Sequence, residues 1–204
     1  PNIDKVNITG AITFYNSPVN INHSFFSSNF SEDSLNIIRS NFKISNSSFL
    51  NSFSDALDLD SSNGEIYNIS FKNIGNDAID ISNGEVLINQ LKINNAPDKA
   101  ISIGEKSLVD GSEIFIDRSG IGIASKDLST ISLRNIIIKN TDVCFTSFQK
   151  KNEYGPASIN VLDDKSVLSC KKEYLLEKGS SITVKDKKYL PNSITVSYTH
   201  LRAH

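Results

Sequence analysis

Four aspartates with a fixed spacing are the residues of this chain best suited to chemistry. Asp55–Asp58 (Asp-Ala-Leu-Asp) and Asp77–Asp80 (Asp-Ala-Ile-Asp) are 22 residues apart, and Lys99–Ser102 (Lys-Ala-Ile-Ser) follows after another 22 with both acids replaced. Neighbouring carboxylates about 5 Å apart repel each other by roughly 3 kcal/mol at an effective dielectric constant near 20. Water and salt, raised pKa values, Lys99 or a cation can relieve this repulsion. Ca²⁺ is a cation that binds several carboxylate oxygens.

The same interval extends beyond the acidic runs. Ser34–Ile37 precedes Ala56–Leu59 by 22 residues, and Gly120–Ile123 follows Ala100–Ile103 after 20. Such a period is typical of a solenoid, in which each repeat forms one coil. An apolar column and a polar column recur at similar steps. The apolar column is Phe26, Phe49, Phe71, Leu91, Ile114 and Ile136, and the polar column is Asn29, Asn51, Asn73, Asn94, Asp117 and Asn140.

The coils are predicted to consist of strands. Ile44–Phe49, Ile66–Phe71 and Ile131–Ile138 are rich in β-branched and aromatic residues. Leu57–Asp60 and Ile79–Ser82 alternate apolar with polar side chains, which is the pattern of a strand with one buried face. Helical repeats would need apolar residues at 3.6-residue spacing, and the sequence does not show them.

Alternation along these strands also predicts which side chains face outward. Asp55, Asp77 and Lys99 are expected to form a second column where the same strands begin. The sequence therefore predicts one exposed acidic surface with a lysine at its edge. The side chains predicted to face outward from this sheet are Asp58, Asp60, Asp80, Ser82 and Ser102.

This pattern resembles the parallel β-helix of the pectate-lyase-like superfamily over roughly residues 5 to 147. The fold class that the resemblance implies is all-β. It implies a right-handed, single-stranded parallel β-helix with about 22 residues per coil and a small irregular C-terminal cap. That superfamily includes lyases, hydrolases, epimerases, adhesins and phage tailspikes. The resemblance is therefore specific for fold and not for function.

The resemblance also implies roles for individual residues. In the uronate lyases of this superfamily, aspartates on such a face hold Ca²⁺, and a lysine or arginine abstracts the proton at C5 of the sugar. By this resemblance Lys99 is the expected catalytic base. The Gly-His-Gly and Arg-Ile-Lys motifs of polygalacturonases do not occur in the sequence. The expected metal ligands are Asp55, Asp58, Asp77 and Asp80, and the expected substrate-binding residues are Asp60, Glu105, Lys106 and Lys126.

Structural roles are the alternative interpretation of the same residues. An aspartate that precedes a strand commonly accepts backbone N–H groups in a turn, which would explain Asp55 and Asp77. The polar column is interpreted as a ladder of asparagines that satisfies backbone groups at the turns. Polar side chains on an exposed sheet face can also be solvated without binding a ligand.

Composition limits the class of protein and its partners. The 204 residues are 38% hydrophobic and 22% charged, which is enough for a sizeable core, and no apolar run is long enough to insert into a membrane. With 21 basic against 23 acidic residues, nucleic acid is not an expected partner. Two cysteines are too few to indicate a disulfide framework. A buried free thiol is favoured for Cys144, and a bridge to Cys170 is the alternative.

The sequence divides into three predicted segments. Residues 1–147 are the β-helix repeats, 148–194 a C-terminal strand and cap, and 195–204 a non-native tail. Residues 196–204 resemble a translated sequencing adapter, so His200 and His204 are not interpreted as metal ligands. An upstream domain of the same chain is expected, because the first residue is Pro1 and the sequence contains no methionine.

Three functions stay open from the sequence. The favoured one is a non-catalytic β-helix region of a larger bacterial extracellular or cell-surface protein that binds a polysaccharide or another glycan. The second is a Ca²⁺-dependent uronate-polysaccharide lyase or C5-epimerase. The third is a structural spacer or adhesin stalk. The extracellular location is expected from the resemblance in fold.

Overall fold

A computed structural model describes residues 2–3 and 6–192 of the chain. All regular elements of this part are strands, and it contains no helix. The strands are β1 (Asn2–Ile3), β2 (Val6–Asn7), β3 (Gly10–Tyr15), β4 (Val19–Asn22), β5 (Phe25–Ser27), β6 (Asp33–Ile38), β7 (Asn41–Ser52), β8 (Asp55–Asp60), β9 (Asn63–Ile74), β10 (Ile79–Ser82), β11 (Glu85–Gly104), β12 (Leu108–Lys126), β13 (Thr130–Phe148), β14 (Ser158–Val161), β15 (Val167–Leu176), β16 (Ser181–Val184) and β17 (Lys187–Lys188).

The strands stack as a parallel β-helix with three faces per coil. The first face contains β3, β6, β8, β10 and the C-terminal parts of β11, β12 and β13. The second face contains β4, the N-terminal parts of β7, β9, β11, β12 and β13, and then β14 and β16. The third contains β5, the later parts of β7 and β9, the middle of β11 to β13, and the start of β15. The predicted all-β solenoid is confirmed.

A row of buried apolar side chains along the first face shows the register of the coils. The step between neighbours is 22 residues throughout, including the step from Ile101 to Ile123. The predicted step of 20 residues at this point is therefore wrong. Alternation repeats every two residues, so a shift of two leaves the inward pattern unchanged and cannot be detected from the sequence. The row is Leu35, Leu57, Ile79, Ile101, Ile123 and Phe145.

Three phenylalanines stack inside the N-terminal coils. The ring of Phe49 lies 4.5 Å from that of Phe26 and 4.8 Å from that of Phe71, measured between centroids. In the next coil Phe71 pairs with Ile93 and not with the predicted Leu91. This correction is again a shift of two residues, since Leu91 and Ile93 are both buried.

Asparagines with left-handed backbone form one corner of the coils. Asn51, Asn73 and Asn95 have φ values of 55°, 55° and 68°, a conformation that asparagine tolerates better than most residues. Asn73 donates its side-chain amide to Asn51 Oδ1 at 3.1 Å, and Asn95 donates to Asn73 Oδ1 at 3.2 Å. The predicted contact between Asn51 and Asn73 is therefore confirmed, but the next member of the ladder is Asn95, and these bonds join side chains and not turn backbone. Asn94 instead donates to Asp117 at 3.3 Å.

The stack continues beyond the predicted boundary at residue 147. β14 pairs in parallel with β13, β15 also pairs with β13, and β16 pairs with β14. The antiparallel pair β16–β17 follows. Much of the segment predicted to be an irregular cap is therefore further β-helix. The predicted tail, 195–204, lies outside the described residues.

A disulfide joins Cys144 of β13 to Cys170 of β15, with their Cα atoms 5.6 Å apart. The favoured interpretation of Cys144 as a free thiol is therefore wrong, and the alternative of a bridge to Cys170 is confirmed. Closing a loop of this size removes freedom from the unfolded chain and stabilises the fold by about 3 kcal/mol. The bridge ties the last coils of the β-helix together.

Candidate functional site

A cleft of about 460 Å³ runs along the first face, across several coils. Among the described residues, every side chain that lines it is polar, and these include seven carboxyl groups and three lysines. The carboxyl groups belong to Glu32, Asp33, Asp55, Asp58, Asp60, Asp77 and Asp80, and the lysines are Lys99, Lys126 and Lys150.

Parallel pairing in register brings the carboxyl groups together. Asp33 is the partner of Asp55 on the next strand, and Asp58 is the partner of Asp80. Neighbouring strands in a sheet are about 4.8 Å apart, so the two acids of each pair lie side by side on adjacent coils. The predicted stacking of Asp58 and Asp80 is confirmed. Their row is less exposed than predicted, however, because its next member, Ser102, is completely buried.

Charge is segregated along the cleft. Glu32, Asp33, Asp55, Asp58 and Asp60 come from β6, β8 and the residue before β6, and we call this group the acid end. Lys99, Lys126 and Lys150 come from β11, β12 and the segment after β13, and we call this group the lysine end. Asp77 and Asp80 lie between the two ends. Acidic side chains therefore line one end of the cleft, and lysines line the other.

Asp55 and Asp77 have structural hydrogen bonds. Asp55 Oδ1 accepts the backbone N–H of Asp77 at 3.0 Å and the side-chain amide of Asn76 at 2.7 Å. Asp77 Oδ1 accepts the backbone N–H of Lys99 at 2.9 Å. Each aspartate thus fixes the start of the strand in the next coil, as the structural interpretation of these two residues predicted.

Lys99 is a buried, ion-paired residue. Its Nζ lies 3.3 Å from Asp77 Oδ1 and also contacts the carboxylate of Asp98. Burial alone would lower the pKa of Lys99, but Asp77 and Asp98 outweigh it and raise the pKa above its ordinary value. A lysine that stays protonated cannot abstract a proton. This arrangement argues against the predicted role of Lys99 as a catalytic base.

Asp58 and Asp60 are two residues apart on β8, so their carboxyl groups lie on the same face of the strand. Asn36 donates to Asp58 Oδ2 at 2.7 Å. Burial raises the pKa of Asp58 well above its usual value, and the neighbouring charges of Asp60, Asp33 and Asp80 raise it further. Burial likewise raises the pKa of Asp60. The pair therefore holds a proton under conditions in which a solvated aspartate would have lost it.

Asp33 is the most enclosed carboxyl group at the acid end, with 3% of its surface exposed. Its Oδ2 atom has no hydrogen-bond donor among the described residues. Burial raises the pKa of Asp33 to about 7, against a hydrogen bond from Thr9, and the charges of Asp55 and Glu32 add to the rise. Leaving a buried polar atom without a partner costs about 1–3 kcal/mol.

We expect the stability of the protein to fall as the pH rises from 4.5 to 8. The folded-state pKa of Asp33, about 7, lies above the ordinary value of 3.8. In this range the folded chain therefore binds more protons than the unfolded chain, and raising the pH favours unfolding. Asp33→Asn should reduce the loss between pH 4.5 and 8 by about 2 kcal/mol, allowing for water in the cleft. Urea unfolding at pH 4.5, 6 and 8 measures it.

Asp110→Asn is the control for this experiment, because Asp110 is half exposed and pairs with Arg134 at 2.9 Å outside the cleft. It should keep the pH dependence of the unmodified protein. Equal pH dependence in the Asp33→Asn variant and the unmodified protein would contradict the assignment of a raised pKa to Asp33.

The loop of residues 149–155 positions Lys150 beside the cleft. Asp127 Oδ1 accepts the backbone N–H groups of Lys150 at 2.6 Å and Lys151 at 2.8 Å. Gln149 donates its side-chain amide to three carbonyl oxygens within the loop. Burial lowers the pKa of Lys150, and the positive charge of Lys126 lowers it further. The loop therefore holds a lysine that loses its proton more readily than a solvated one.

The donor atoms do not fit the predicted calcium site. Within the described residues, no group of three or more His, Cys, Asp or Glu side chains is placed to hold a metal ion. Asp55 Oδ1 already accepts two hydrogen bonds, and Asp77 is paired with Lys99. The four predicted ligands also lie on two different coils, and each has its own hydrogen-bond or ion-pair partners. We therefore derive no step that depends on Ca²⁺.

The structure brings most of the predicted site residues together and separates two. Asp60 and Lys126 line the cleft, and Lys126 Nζ lies 3.9 Å from Asp80 Oδ1. Glu105 instead pairs with Lys151, and the Nζ of Lys106 lies 5.7 Å from the ring centroid of Tyr154. Neither Glu105 nor Lys106 lines the cleft.

Three charged residues of the cleft were not among the predicted site residues. Asp33 precedes Asp55 by 22 residues, so the repeat itself was the signal that identifies it. Glu32 precedes Asp33 directly. Lys150 lies in a loop outside the period, and the sequence carries no signal that places it at the cleft.

A scan against protein-family models finds no match for this chain, and a search of curated proteins finds no similar sequence. Among the described residues, no helix is long and apolar enough to cross a membrane.

Proposed function

We propose that this chain is a non-catalytic β-helix region of a larger extracellular or cell-surface protein and that its cleft binds a polysaccharide. The observation that carries the proposal is the cleft itself, whose described lining consists of polar side chains and which extends along the stacked coils. Hydroxyl, amide and carboxyl groups at fixed positions suit a ligand that is rich in hydroxyl groups. The Cys144–Cys170 disulfide supports an oxidising compartment.

The test is binding to a panel of oligosaccharides, measured by calorimetry with the unmodified protein and two variants. Asp80→Asn removes a carboxylate from the centre of the cleft, and we expect it to weaken binding by about tenfold or more. Asp110→Asn is the matched control, since it makes the same change outside the cleft. Equal weakening in both variants, or no binding to any member of the panel, would contradict the proposal.

A polysaccharide lyase or C5-epimerase is the second candidate function, and Lys150 is the observation that favours it. A base must be uncharged to accept a proton, and burial and Lys126 both lower the pKa of Lys150. The same panel tests the lyase when ultraviolet absorbance is followed after pectate, alginate or chondroitin is added. A C5-epimerase forms no unsaturated product and is tested by the change in uronate composition of the same substrates. Unsaturated product that disappears in a Lys150→Met variant would favour the lyase. If the chain neither binds nor cleaves any glycan, the candidate function that remains is a structural spacer or adhesin stalk.

A further inference from the structure

We propose that the glycan held in this cleft carries free amino groups and that the acid end binds them as ammonium ions. The inference rests on the proposed function and names the class of glycan. It assigns ammonium binding to Asp33, Asp58 and Asp60, a role that no similarity to a known protein supplies.

The first support is the unbalanced charge of the acid end. At the lysine end and the centre of the cleft, charges are largely matched, because Lys99 pairs with Asp77 and Lys126 lies 3.9 Å from Asp80. At the acid end, the neighbouring charges that act most strongly on Asp33 and Asp58 are other carboxylates. A cationic group from a ligand would relieve this repulsion at Asp33 and Asp58, whose strongest neighbouring charges among the described residues are all negative.

The second support is the unpartnered oxygen of Asp33. The residue is 3% exposed and lines the cleft, yet its Oδ2 has no donor within the described part of the chain. An ammonium group offers three N–H donors. One such group can donate to Asp33 and to a neighbouring carboxylate at the same time, which removes the cost of the unpartnered oxygen.

The remaining lining residues favour an amino sugar over other organic cations. The side chains of Thr9, Ser54, Asn76 and Ser82 can each donate and accept hydrogen bonds, as sugar hydroxyl groups require. Polyamines and lysine side chains carry their charge on methylene chains, which bind best along apolar surfaces. The cleft offers no aliphatic or aromatic side chain within its described lining. A hydroxyl-rich cation therefore matches the cleft better than an aliphatic one.

The experiment compares three oligosaccharides of equal length, namely oligomers of glucosamine, N-acetylglucosamine and galacturonate, with spermine as an aliphatic cation. Calorimetry at pH 6 and low salt measures each affinity. Because the pKa of Asp33 is about 7, the ammonium group displaces the proton that Asp33 holds at this pH. We expect the glucosamine oligomer to bind at least about tenfold more tightly than its acetylated counterpart. We expect Asp60→Asn to remove most of this difference in affinity. Asp110→Asn should retain the preference, and thermal unfolding confirms that both variants fold.

Each other outcome overturns the inference in a distinguishable way. Equal or tighter binding of the acetylated or the galacturonate oligomer would overturn the inference and leave the proposed function intact. Spermine binding as tightly as the glucosamine oligomer would show that the cleft selects charge without the sugar. Failure of all four probes would overturn the inference, and the full oligosaccharide panel then decides whether the proposed function fails with it. If the Asp60→Asn variant kept the preference for the glucosamine oligomer, the amino group would bind outside the acid end, and the inference would be overturned.

Discussion

Replacing Phe49 by alanine is expected to lower the free energy of unfolding by about 3–5 kcal/mol. The ring is 1% exposed and stacks between Phe26 and Phe71, at centroid distances of 4.5 and 4.8 Å. Truncation therefore removes apolar contact on both sides and leaves a cavity that the neighbouring coils cannot close, because backbone hydrogen bonds fix the spacing of the strands. Urea unfolding followed by circular dichroism measures the change.

Phe53→Ala is the matched control for this variant. Phe53 comes from the same region of the chain but is 67% exposed, so its truncation should change the free energy of unfolding by about 0.5 kcal/mol or less. Similar losses in the two variants would show that the stacked rings do not stabilise the β-helix beyond what an exposed aromatic side chain contributes.

Replacing Lys99 by methionine is expected to destabilise the protein by about 3–5 kcal/mol. Methionine preserves much of the side-chain volume but removes the ammonium group that lies 3.3 Å from Asp77 Oδ1. Asp77 is then left buried beside Asp80 and Asp55 without its cation, and because burial raises its pKa, it must either stay charged in the core or take up a proton in order to fold. Leaving one charge of a buried pair uncompensated is among the largest costs that a single substitution can cause. Chemical unfolding at pH 7 gives the change in free energy.

Two further variants test the cause of this loss. Lys43→Met removes an exposed lysine that lies 3.0 Å from Glu65, and it should cost no more than about 1 kcal/mol. Adding Asp77→Asn to Lys99→Met should recover part of the stability, because the uncompensated charge disappears. A double variant less stable than Lys99→Met alone would indicate that the hydrogen bonds of Asp77 matter more than its charge.

The sequence predicts the coils of this protein better than it predicts their register. The 22-residue interval and the period-two alternation identify stacked parallel strands. The errors at Leu91 and at Gly120 are both shifts of two residues, and such a shift keeps apolar side chains inside. The pairing between β11 and β12 is irregular between Ala96 and Lys99, just before the second error. Stacking contacts between coils decide the register there, and one sequence does not reveal them.

The candidate site shows the same division between repeat and tertiary structure. Asp58 and Asp80 are predictable because both belong to the repeat, and Asp33 could have been found from the same interval. The surroundings that set their chemistry are not predictable. Ser102 was expected on an exposed face and is fully buried, and Lys150 reaches the cleft through a loop that has no place in the period. Burial by distant segments leaves no periodic signal in the sequence.

The 22-residue coil also gives the first face a regular spacing along the axis of the β-helix. Equivalent positions in neighbouring coils lie about 4.8 Å apart, because backbone hydrogen bonds set this distance whatever side chains the positions carry. A substitution in one coil therefore changes the charge at one position without moving the other positions. A linear polymer bound along the axis would therefore contact side chains at fixed intervals. The preferred polymer could change by single substitutions while the scaffold and its core stay as they are.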